Sequence, residues 1–296
     1  MQMFGIDYNT GGFMAKLLKG KEVTERLNTE LTNQVEALKA KGVVPTLAIL
    51  RVGERPDDLS YERGAIKRCE LIGVEVKVVA LEESISEDEF FKKLQELNED
   101  ITIHGILMFR PLPKHIDSEK ARQMLAASKD VDGCTDLSLA GVFTNTSLGF
   151  APCTAEAAME ILHHYNIPVS GKKVAVIGRS LVIGRPVAML LMHENATVTI
   201  CHTRTVDVPS ITKEADIVIV ASGQMESVGK EFLRPGQVVI DVGISWNDAK
   251  NKLCGDVKFD EVEDIVEAIT PVPGGVGGVT TSILVKHVIE AAKRSN

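Results

Sequence analysis

The sequence predicts an α/β fold of two domains, each built on a parallel sheet that is covered by helices. From residue 44 onward, short apolar runs alternate with longer segments of helical period, which is typical of parallel sheets. A second series of this kind begins near residue 172, after a stretch rich in Gly, Ser, Thr and Asn. A chain of 296 residues, 44% of them hydrophobic, is long enough to form two cores.

The first series predicts three buried strands, at residues 44–52, 74–81 and 104–109. The segments of helical period that accompany them are residues 21–41, 59–72, 86–98 and 118–127. We therefore predict a first domain over residues 1–150, with a loosely ordered N-terminus up to about Phe13.

The second series predicts five strands, at residues 172–178, 195–202, 215–222, 237–243 and 267–273. Residues 131–154 have no sustained period, which predicts a loop-rich crossing between the domains. We predict a second domain over residues 151–279. The amphipathic segment 280–296 follows a Pro/Gly-rich turn and is predicted to pack back on the first domain as a helix.

Composition excludes several classes of protein. The formal net charge of -8, from 33 basic and 41 acidic side chains, argues against nucleic acid or an anionic membrane as the main partner. Five scattered cysteines without CxxC or zinc-like spacing predict reduced thiols and no metal site. The chain has neither a run of about eighteen apolar residues nor a signal-peptide pattern, which predicts a cytoplasmic location.

The strongest local motif is VAVIGRSLVIGRP at residues 174–186, where an apolar run ends at Gly178 and a helical segment follows. A glycine for the tight turn, a small side chain and the amides at a helix N-terminus together suit a phosphate group. We predict that Gly178, Arg179 and Ser180 bind a dinucleotide. A glycine-rich turn without a ligand is the alternative.

The next predicted strand is followed by His202, Thr203 and Arg204. Sheets that bind NAD usually carry Asp or Glu at this place, about twenty residues past the glycine loop, to hold the ribose 2′-hydroxyl. Here no acid is present, whereas Thr203, Arg204 and Arg179 offer a hydroxyl and positive charge to a 2′-phosphate. The sequence therefore favours NADP over NAD. The alternative is that both arginines are solvated surface charges.

Eight segments together resemble the methylenetetrahydrofolate dehydrogenase/cyclohydrolase family, the FolD-type enzymes. They are, in chain order, Tyr61 after VGERPDDLS, GILMFRPLPKH at 105–115, KDVDG at 129–133, PCT at 152–154, GRSLVIGRP at 178–186, DVGI at 241–244, GDV at 255–257 and TPVPGGVG at 270–277. The resemblance implies an N-terminal catalytic domain and a Rossmann-like NAD(P)-binding domain with folate in the cleft between them, usually as a homodimer. It also implies oxidation of 5,10-methylenetetrahydrofolate to the methenyl cation, which most members then hydrolyse to 10-formyltetrahydrofolate.

The shared motifs assign roles in the family's site to individual residues of this chain. The resemblance implies that Tyr61 and Asp132 are catalytic residues that border the folate, with Asp132 hydrogen-bonded to the pterin ring. Pro273 and Gly274 are expected to line the same cleft, and Ile244 to contact the dinucleotide. The alternatives are a core tyrosine, Asp132 and Gly133 as simple turn formers, and a purely structural bend at residues 273–274.

The chain departs from the family at its catalytic lysine. The family pattern is Tyr-x-x-x-Lys, and the fifth position here is Ala65. Lys67 does not replace it, because six helical positions are a rotation of about 600°, and the guanidinium of Arg68 is a poor base. The family's Gln before the Pro-Leu-Pro turn aligns with Phe109. Since a buried Gln without its partner costs free energy, we predict that the pair was lost together.

The chemistry indicates which activity this loss affects. Hydride transfer from the N-CH2-N carbon leaves a delocalised cation and needs no proton acceptor, so positioning carries most of that step. Hydrolysis requires an activated water and proton transfer. We predict an NADP-dependent dehydrogenase with weak or absent cyclohydrolase. The alternatives are full bifunctional activity, a noncatalytic folate- or nucleotide-binding protein, and an oxidoreductase for a related substrate, which the departures at residues 134–136 leave open.

Overall fold

The structure is a computed structural model that describes residues 14–295. The strands in this range are β1 (Lys16–Leu17), β2 (Thr46–Val52), β3 (Glu75–Leu81), β4 (Gly105–Met108), β5 (Lys173–Ile177), β6 (Thr197–Cys201), β7 (Ile217–Val220), β8 (Val238–Asp241), β9 (Ser245–Asn247), β10 (Lys252–Cys254) and β11 (Ala268–Ile269). The α-helices are α1 (Gly20–Lys39), α2 (Pro56–Ile72), α3 (Glu87–Glu99), α4 (Ser118–Met124), α5 (Asp136–Thr144), α6 (Cys153–His164), α7 (Gly184–His193), α8 (Val208–Glu214), α9 (Phe259–Val262) and α10 (Val276–Arg294). The predicted loosely ordered N-terminus lies outside the described residues.

The first sheet has the order β3-β2-β4, and all its strands are parallel. Strand β2 is buried on both faces, because Leu47 and Ile49 pack into one apolar cluster and Ala48 and Leu50 into another. The three predicted strands are confirmed, but the prediction that residues 74–81 are buried is wrong. Strand β3 lies at the sheet edge, and Val78 is 42% exposed.

The second sheet has the order β1-β11-β8-β7-β5-β6 and is also parallel throughout. All five predicted runs contain one of its strands. The sixth strand, Lys16–Leu17, comes from the N-terminal end of the described chain and pairs with Ala268–Ile269. The domain boundary near residue 150 stays a prediction.

Helix α2, which carries Tyr61, has clear signals at both ends. Pro56 occupies its first turn, where the missing N–H costs no hydrogen bond. Gly73 ends it in the left-handed conformation (φ 91°), and its N–H donates to the carbonyl of Cys69. The helix therefore holds Tyr61 rigidly on the carboxyl side of the first sheet.

Within residues 131–154, which the sequence predicts to be a loop-rich crossing, the structure contains helix α5. Its N-cap is Thr135, whose hydroxyl accepts a hydrogen bond from the N–H of Ser138 at 3.1 Å. The helix buries Ser138 but leaves Leu137 and Phe143 exposed. Apolar and polar side chains thus do not separate onto two faces, and no helical period is visible in the sequence.

The predicted C-terminal helix is confirmed and begins earlier, at Val276. Helix α10 packs against α1 and α2 and also against α6. Its apolar side chains, among them Ile283, Leu284 and Val288, are fully buried in this contact. One long helix thus joins the elements that surround the first sheet to those that precede the second.

Three further predictions concern the cysteines, metal binding and membrane-spanning segments. All five cysteines are free and buried. Among residues 14–295, no group of three or more His, Cys, Asp or Glu side chains is placed to hold a metal ion. None of the helices in the same range combines the length and the apolar composition that a membrane crossing requires.

Candidate active site

Two apolar side chains, Phe109 and Ala65, lie close to Tyr61. The ring of Phe109, from the end of β4, meets the Tyr61 ring edge-on, with centroids 5.8 Å apart and an interplanar angle of 90°. Such edge-to-face pairs are favourable. Ala65, one helical turn after Tyr61, is fully buried in the same cluster. The family carries a lysine and a glutamine at the positions that correspond to residues 65 and 109. In this chain those positions hold the methyl group of Ala65 and the phenyl ring of Phe109.

The next two cations along α2 point away from this cluster. The side chain of Lys67 is exposed. The Arg68 guanidinium donates to the Asn28 side-chain oxygen at 2.8 Å, across the contact between α2 and α1. Neither residue therefore replaces the lysine that the family carries at position 65.

Asp132 lies in a tight turn. The N–H of Gly133 donates to the carbonyl of Asp130 at 3.0 Å. Gly133 has a φ of 70°, and a Cβ there would lie 2.5 Å from the carbonyl carbon of Ala151. Only glycine fits at this position. The turn-former interpretation is thus correct for Gly133, while Asp132 keeps a side chain that is 29% exposed.

The carboxylate of Asp130 fixes the next part of the chain. It is buried and accepts hydrogen bonds from the N–H groups of Cys134 (3.0 Å) and Thr135 (2.7 Å) and from the hydroxyl of Ser138 (2.6 Å). The departure from the family at residues 134–136 therefore has a structural role, because Thr135 also caps α5.

The charge state of Asp132 depends on its surroundings. Burial raises the pKa of Asp132 to about 6, and the carboxylate of Asp130 adds to this rise. The Arg110 guanidinium, 3.9 Å from the carboxylate, opposes it. Burial, and then the charge of Asp132, raise the pKa of Tyr61 well above its usual value. At neutral pH the site thus offers a carboxylate acceptor and a protonated phenol.

A cavity of about 180 Å³ connects this site to the second sheet. Its wall includes Arg110, Asp132 and Cys153 on one side. On the other side lie Leu181 and Val182, from the glycine-rich loop after β5. The cleft between the two sheets therefore brings Asp132 close to the loop that the sequence assigned to a dinucleotide.

The glycine-rich loop approaches neighbouring backbone too closely for larger residues. A Cβ on Gly178, whose φ is 129°, would lie 2.1 Å from the carbonyl oxygen of Ala221. A Cβ on Gly184 would lie 2.2 Å from the carbonyl oxygen of Gly178. The Ser180 hydroxyl accepts from the N–H of Ile183 at 3.2 Å, just before α7 begins. The loop thus folds tightly at a helix N-terminus, which fits a phosphate-bearing ligand.

A second cavity, of about 370 Å³, lies beside this loop. Gly178, Arg179, Ser180 and Thr203 are all on its wall. The structure thereby brings together four of the six residues that the sequence assigned to the dinucleotide; Arg204 and Ile244 are not on this wall. Between residues 14 and 295, no acidic side chain pairs with Arg179 or Arg204, so both guanidinium groups are available to a phosphate.

The remaining predicted site residues lie elsewhere. Ile244 is 56% exposed after β8. Pro273 and Gly274 are exposed in the turn before α10, where the Gly274 carbonyl accepts from the N–H of Gly20 at 2.8 Å. None of the three lines either cavity. Their assigned contacts stay predictions.

Comparisons with known proteins agree with this geometry. Residues 18–132 match the catalytic domain of tetrahydrofolate dehydrogenase/cyclohydrolase, and residues 152–296 match its NAD(P)-binding domain. The bifunctional protein FolD of Carboxydothermus hydrogenoformans is 51% identical over 96% of this chain and 99% of its own length. The chain belongs to the tetrahydrofolate dehydrogenase/cyclohydrolase family.

Solved structures of the family have the same two-domain α/β fold. The bifunctional FolD enzyme of Campylobacter jejuni superposes with a TM-score of 0.91 at 36% identity, over 95% of this chain and 99% of that one. The FolD protein of Trypanosoma brucei, described as complexed with NADP cofactor and inhibitor, gives 0.88 at 35% identity, over 95% and 98% of the two chains.

The sequence analysis did not identify several buried or partly buried residues that form hydrogen bonds in the structure. Cys153 was quoted only as part of a motif, and Glu156 and His287 were not singled out. The one available signal was a histidine within the otherwise apolar segment ILVKHVI of the last helix. Asp241 was also missed, although it is buried and accepts from the N–H groups of Gly243, Asp256 and Val257.

Proposed function

We propose that this protein oxidises 5,10-methylenetetrahydrofolate to 5,10-methenyltetrahydrofolate by hydride transfer to NADP. The observation that carries the proposal is the cavity that Asp132 shares with the glycine-rich loop, because it lets a folate and a dinucleotide meet in one cleft. The exposed arginines 179 and 204 and the absence of an acid after β6 support NADP. A homodimer and a cytoplasmic location remain predictions from the sequence.

The side chains of the cleft bind and orient the substrate. The carboxylate of Asp132 accepts hydrogen bonds from the N–H groups of the pterin ring, and Tyr61 borders the folate with its protonated phenol. Arg179, Ser180 and Thr203 hold the phosphates of the dinucleotide, whose nicotinamide, when bound, accepts the hydride. No protein group has to take a proton in this step, so the site acts through positioning.

The same site lacks the lysine that the family carries next to Tyr61. Ala65 and Phe109 form an apolar surface beside Tyr61, and Lys67 and Arg68 point elsewhere. We therefore propose that the cyclohydrolase step is weak or absent. A second candidate is full bifunctional activity with another group as the base. It is favoured by the name of the Carboxydothermus hydrogenoformans relative, which is called bifunctional.

A time course of the purified protein with 5,10-methylenetetrahydrofolate and NADP separates these candidates. NADPH and the methenyl product are followed independently, under conditions where methenyl hydrolyses slowly by itself. We expect methenyl to accumulate in step with NADPH. NADPH formation with 10-formyl product and without methenyl accumulation would support the bifunctional enzyme. No NADPH or NADH with either coenzyme would favour a binding protein or a different substrate.

Restoring the family's polar pair should restore hydrolysis. We expect Ala65→Lys combined with Phe109→Gln to raise the rate of methenyl hydrolysis roughly tenfold or more, since general acid–base groups contribute at least that much. Both changes are needed because Ala65 is fully buried, and a lysine there requires the space and the polar partner that Gln provides.

The matched control for this gain is Ala65→Met with Phe109→Gln, which supplies similar length without the amine. Hydrolysis is measured as loss of methenyl absorbance above the spontaneous rate. An equal rate in the two double variants, or no gain in either, would contradict the proposal that hydrolysis was weakened by the loss of the family's lysine and glutamine at positions 65 and 109.

A further inference from the structure

Two side chains from distant helices hold the backbone next to Asp132. The carbonyl oxygen of Val131 accepts a hydrogen bond from Nδ1 of His287 on α10, at 2.8 Å. It also accepts one from Sγ of Cys153 on α6, at 3.1 Å. Val131 directly precedes Asp132, so these contacts hold the turn in addition to the hydrogen bonds of Asp130.

The hydrogen bonds of His287 define its protonation. The ring is 2% exposed, and Nδ1 must carry a proton because a carbonyl only accepts. Nε2 lies 2.8 Å from one carboxylate oxygen of Glu156, and Nζ of Lys286 lies 2.9 Å from the other. The lysine favours the ionised carboxylate, so Nε2 donates as well. His287 is therefore a buried imidazolium.

The electrostatics agree with this geometry. Burial alone would lower the pKa of His287, but the Glu156 carboxylate raises it above the ordinary histidine value. Burial alone would raise the pKa of Glu156, but His287 and Lys286 hold it well below its usual range. The imidazolium of His287 and the carboxylate of Glu156 thus stabilise each other in their charged forms.

We propose that His287 is a positioning residue for Asp132, which holds the Val131 carbonyl in place and, through its positive charge, favours the carboxylate form of Asp132. The inference rests on the proposed role of Asp132 as the group that binds the pterin. His287 does not touch the substrate in this account, because its two nitrogens are occupied by Val131 and Glu156. It supplies a positive charge near a site in which Ala65 replaces the family's charged lysine.

The charged and titratable groups around both residues determine the sign of the effect. The groups that interact with His287, Glu156 or both are Lys286, Cys153 and Asp132. Glu160 interacts with Lys286, and Asp130 interacts with Cys153. The groups that interact with Asp132 are Asp130, Arg110, Tyr61, Cys134, Cys153 and His287. Asp132, whose pKa is about 6, loses its charge as the pH falls through that value. His287 opposes this protonation. Removal of its charge should therefore move the acidic limb of the pH profile to higher pH.

Two variants separate position from charge. With His287→Asn, we expect the KM for the folate to rise roughly tenfold, with the KM for NADP unchanged, and the acidic limb of kcat/KM to move up by about one pH unit. With Glu156→Gln the ring of His287 keeps its hydrogen bond to the Val131 carbonyl. It loses its anionic partner, so the neutral form of the ring is favoured. In that variant we expect a smaller shift of the limb in the same direction, because the substitution removes the anion of Glu156 together with the positive charge of the ring, and a KM close to wild type at alkaline pH.

His104→Asn is the matched control, because His104 is a buried histidine whose Nδ1 accepts from the N–H of Thr46, away from the cleft. The control should lower the melting temperature and leave the pH profile unchanged. If His287→Asn also lowers the melting temperature and leaves the pH profile unchanged, His287 has a merely structural role and the proposal is wrong.

A second measurement does not depend on turnover. Carboxylate carbon NMR titration of the ligand-free protein gives the pKa of Asp132 in wild type and in Glu156→Gln. A higher pKa in the variant supports the proposal even if the wild type fails to oxidise the folate, in which case only the proposed function falls. Equal pKa values in a protein that does turn over would overturn the His287 proposal alone.

Discussion

Replacing Asp132 with Asn is expected to lower kcat/KM for 5,10-methylenetetrahydrofolate by roughly 100-fold or more. In the proposed binding mode the carboxylate accepts hydrogen bonds from pterin N–H groups, and hydrogen bonds to a charged group contribute about 1.5–3 kcal/mol each. Asn is neutral, and its NH2 group would face a pterin donor. The loss is expected mainly in the KM for the folate, since the proposed dinucleotide site lies on the other side of the cleft.

Initial rates at varied folate and fixed saturating NADP measure this effect. The matched control is Asp136→Asn, which makes the same chemical change a few residues along the chain. Asp136 is 59% exposed and pairs with Arg122, and its replacement should leave kcat/KM unchanged. If both variants retained wild-type activity, Asp132 would be a turn former only, as the alternative interpretation of the sequence holds.

The second large effect concerns the coenzyme. Replacing Arg179 and Arg204 together with Ala is expected to lower kcat/KM for NADP roughly 100-fold, because two charge-assisted contacts to the 2′-phosphate are lost. The value for NAD should change little, since NAD has no phosphate at that position. Arg179 and Thr203 lie on the wall of the 370 Å³ cavity, and Arg204 is the residue that follows Thr203 in the chain.

Steady-state rates with each coenzyme give the ratio that decides this assignment. Lys173→Ala removes a surface cation from the opposite end of strand β5, where it pairs with Glu214, and serves as the control for general electrostatic effects. Equal losses for NADP and NAD in the double variant would show that the arginines do not read the 2′-phosphate. The preference for NADP would then need another source.

Much of the fold was predictable because the strands are short apolar runs between helices of clear period. Leu47 to Leu50 read as a buried strand, and the structure buries them on both faces. The edge position of β3 was not predictable, because the apolar run around Val78 looks the same whether or not a neighbouring strand covers it. Helix α5 was missed because its exposed Leu137 and Phe143 break the expected pattern.

The sequence by itself determined the family, the glycine-rich loop with its basic and hydroxyl neighbours, and the absence of the lysine at position 65. These features are local, since each motif is carried by residues that are adjacent along the chain. Only the tertiary structure placed the ring of Phe109 against Tyr61 and brought His287 to the carbonyl of Val131, which lies 156 positions earlier. Such contacts depend on how α10 packs against α2 and α6, and residue periodicity reports which face of a helix is buried but not what it meets.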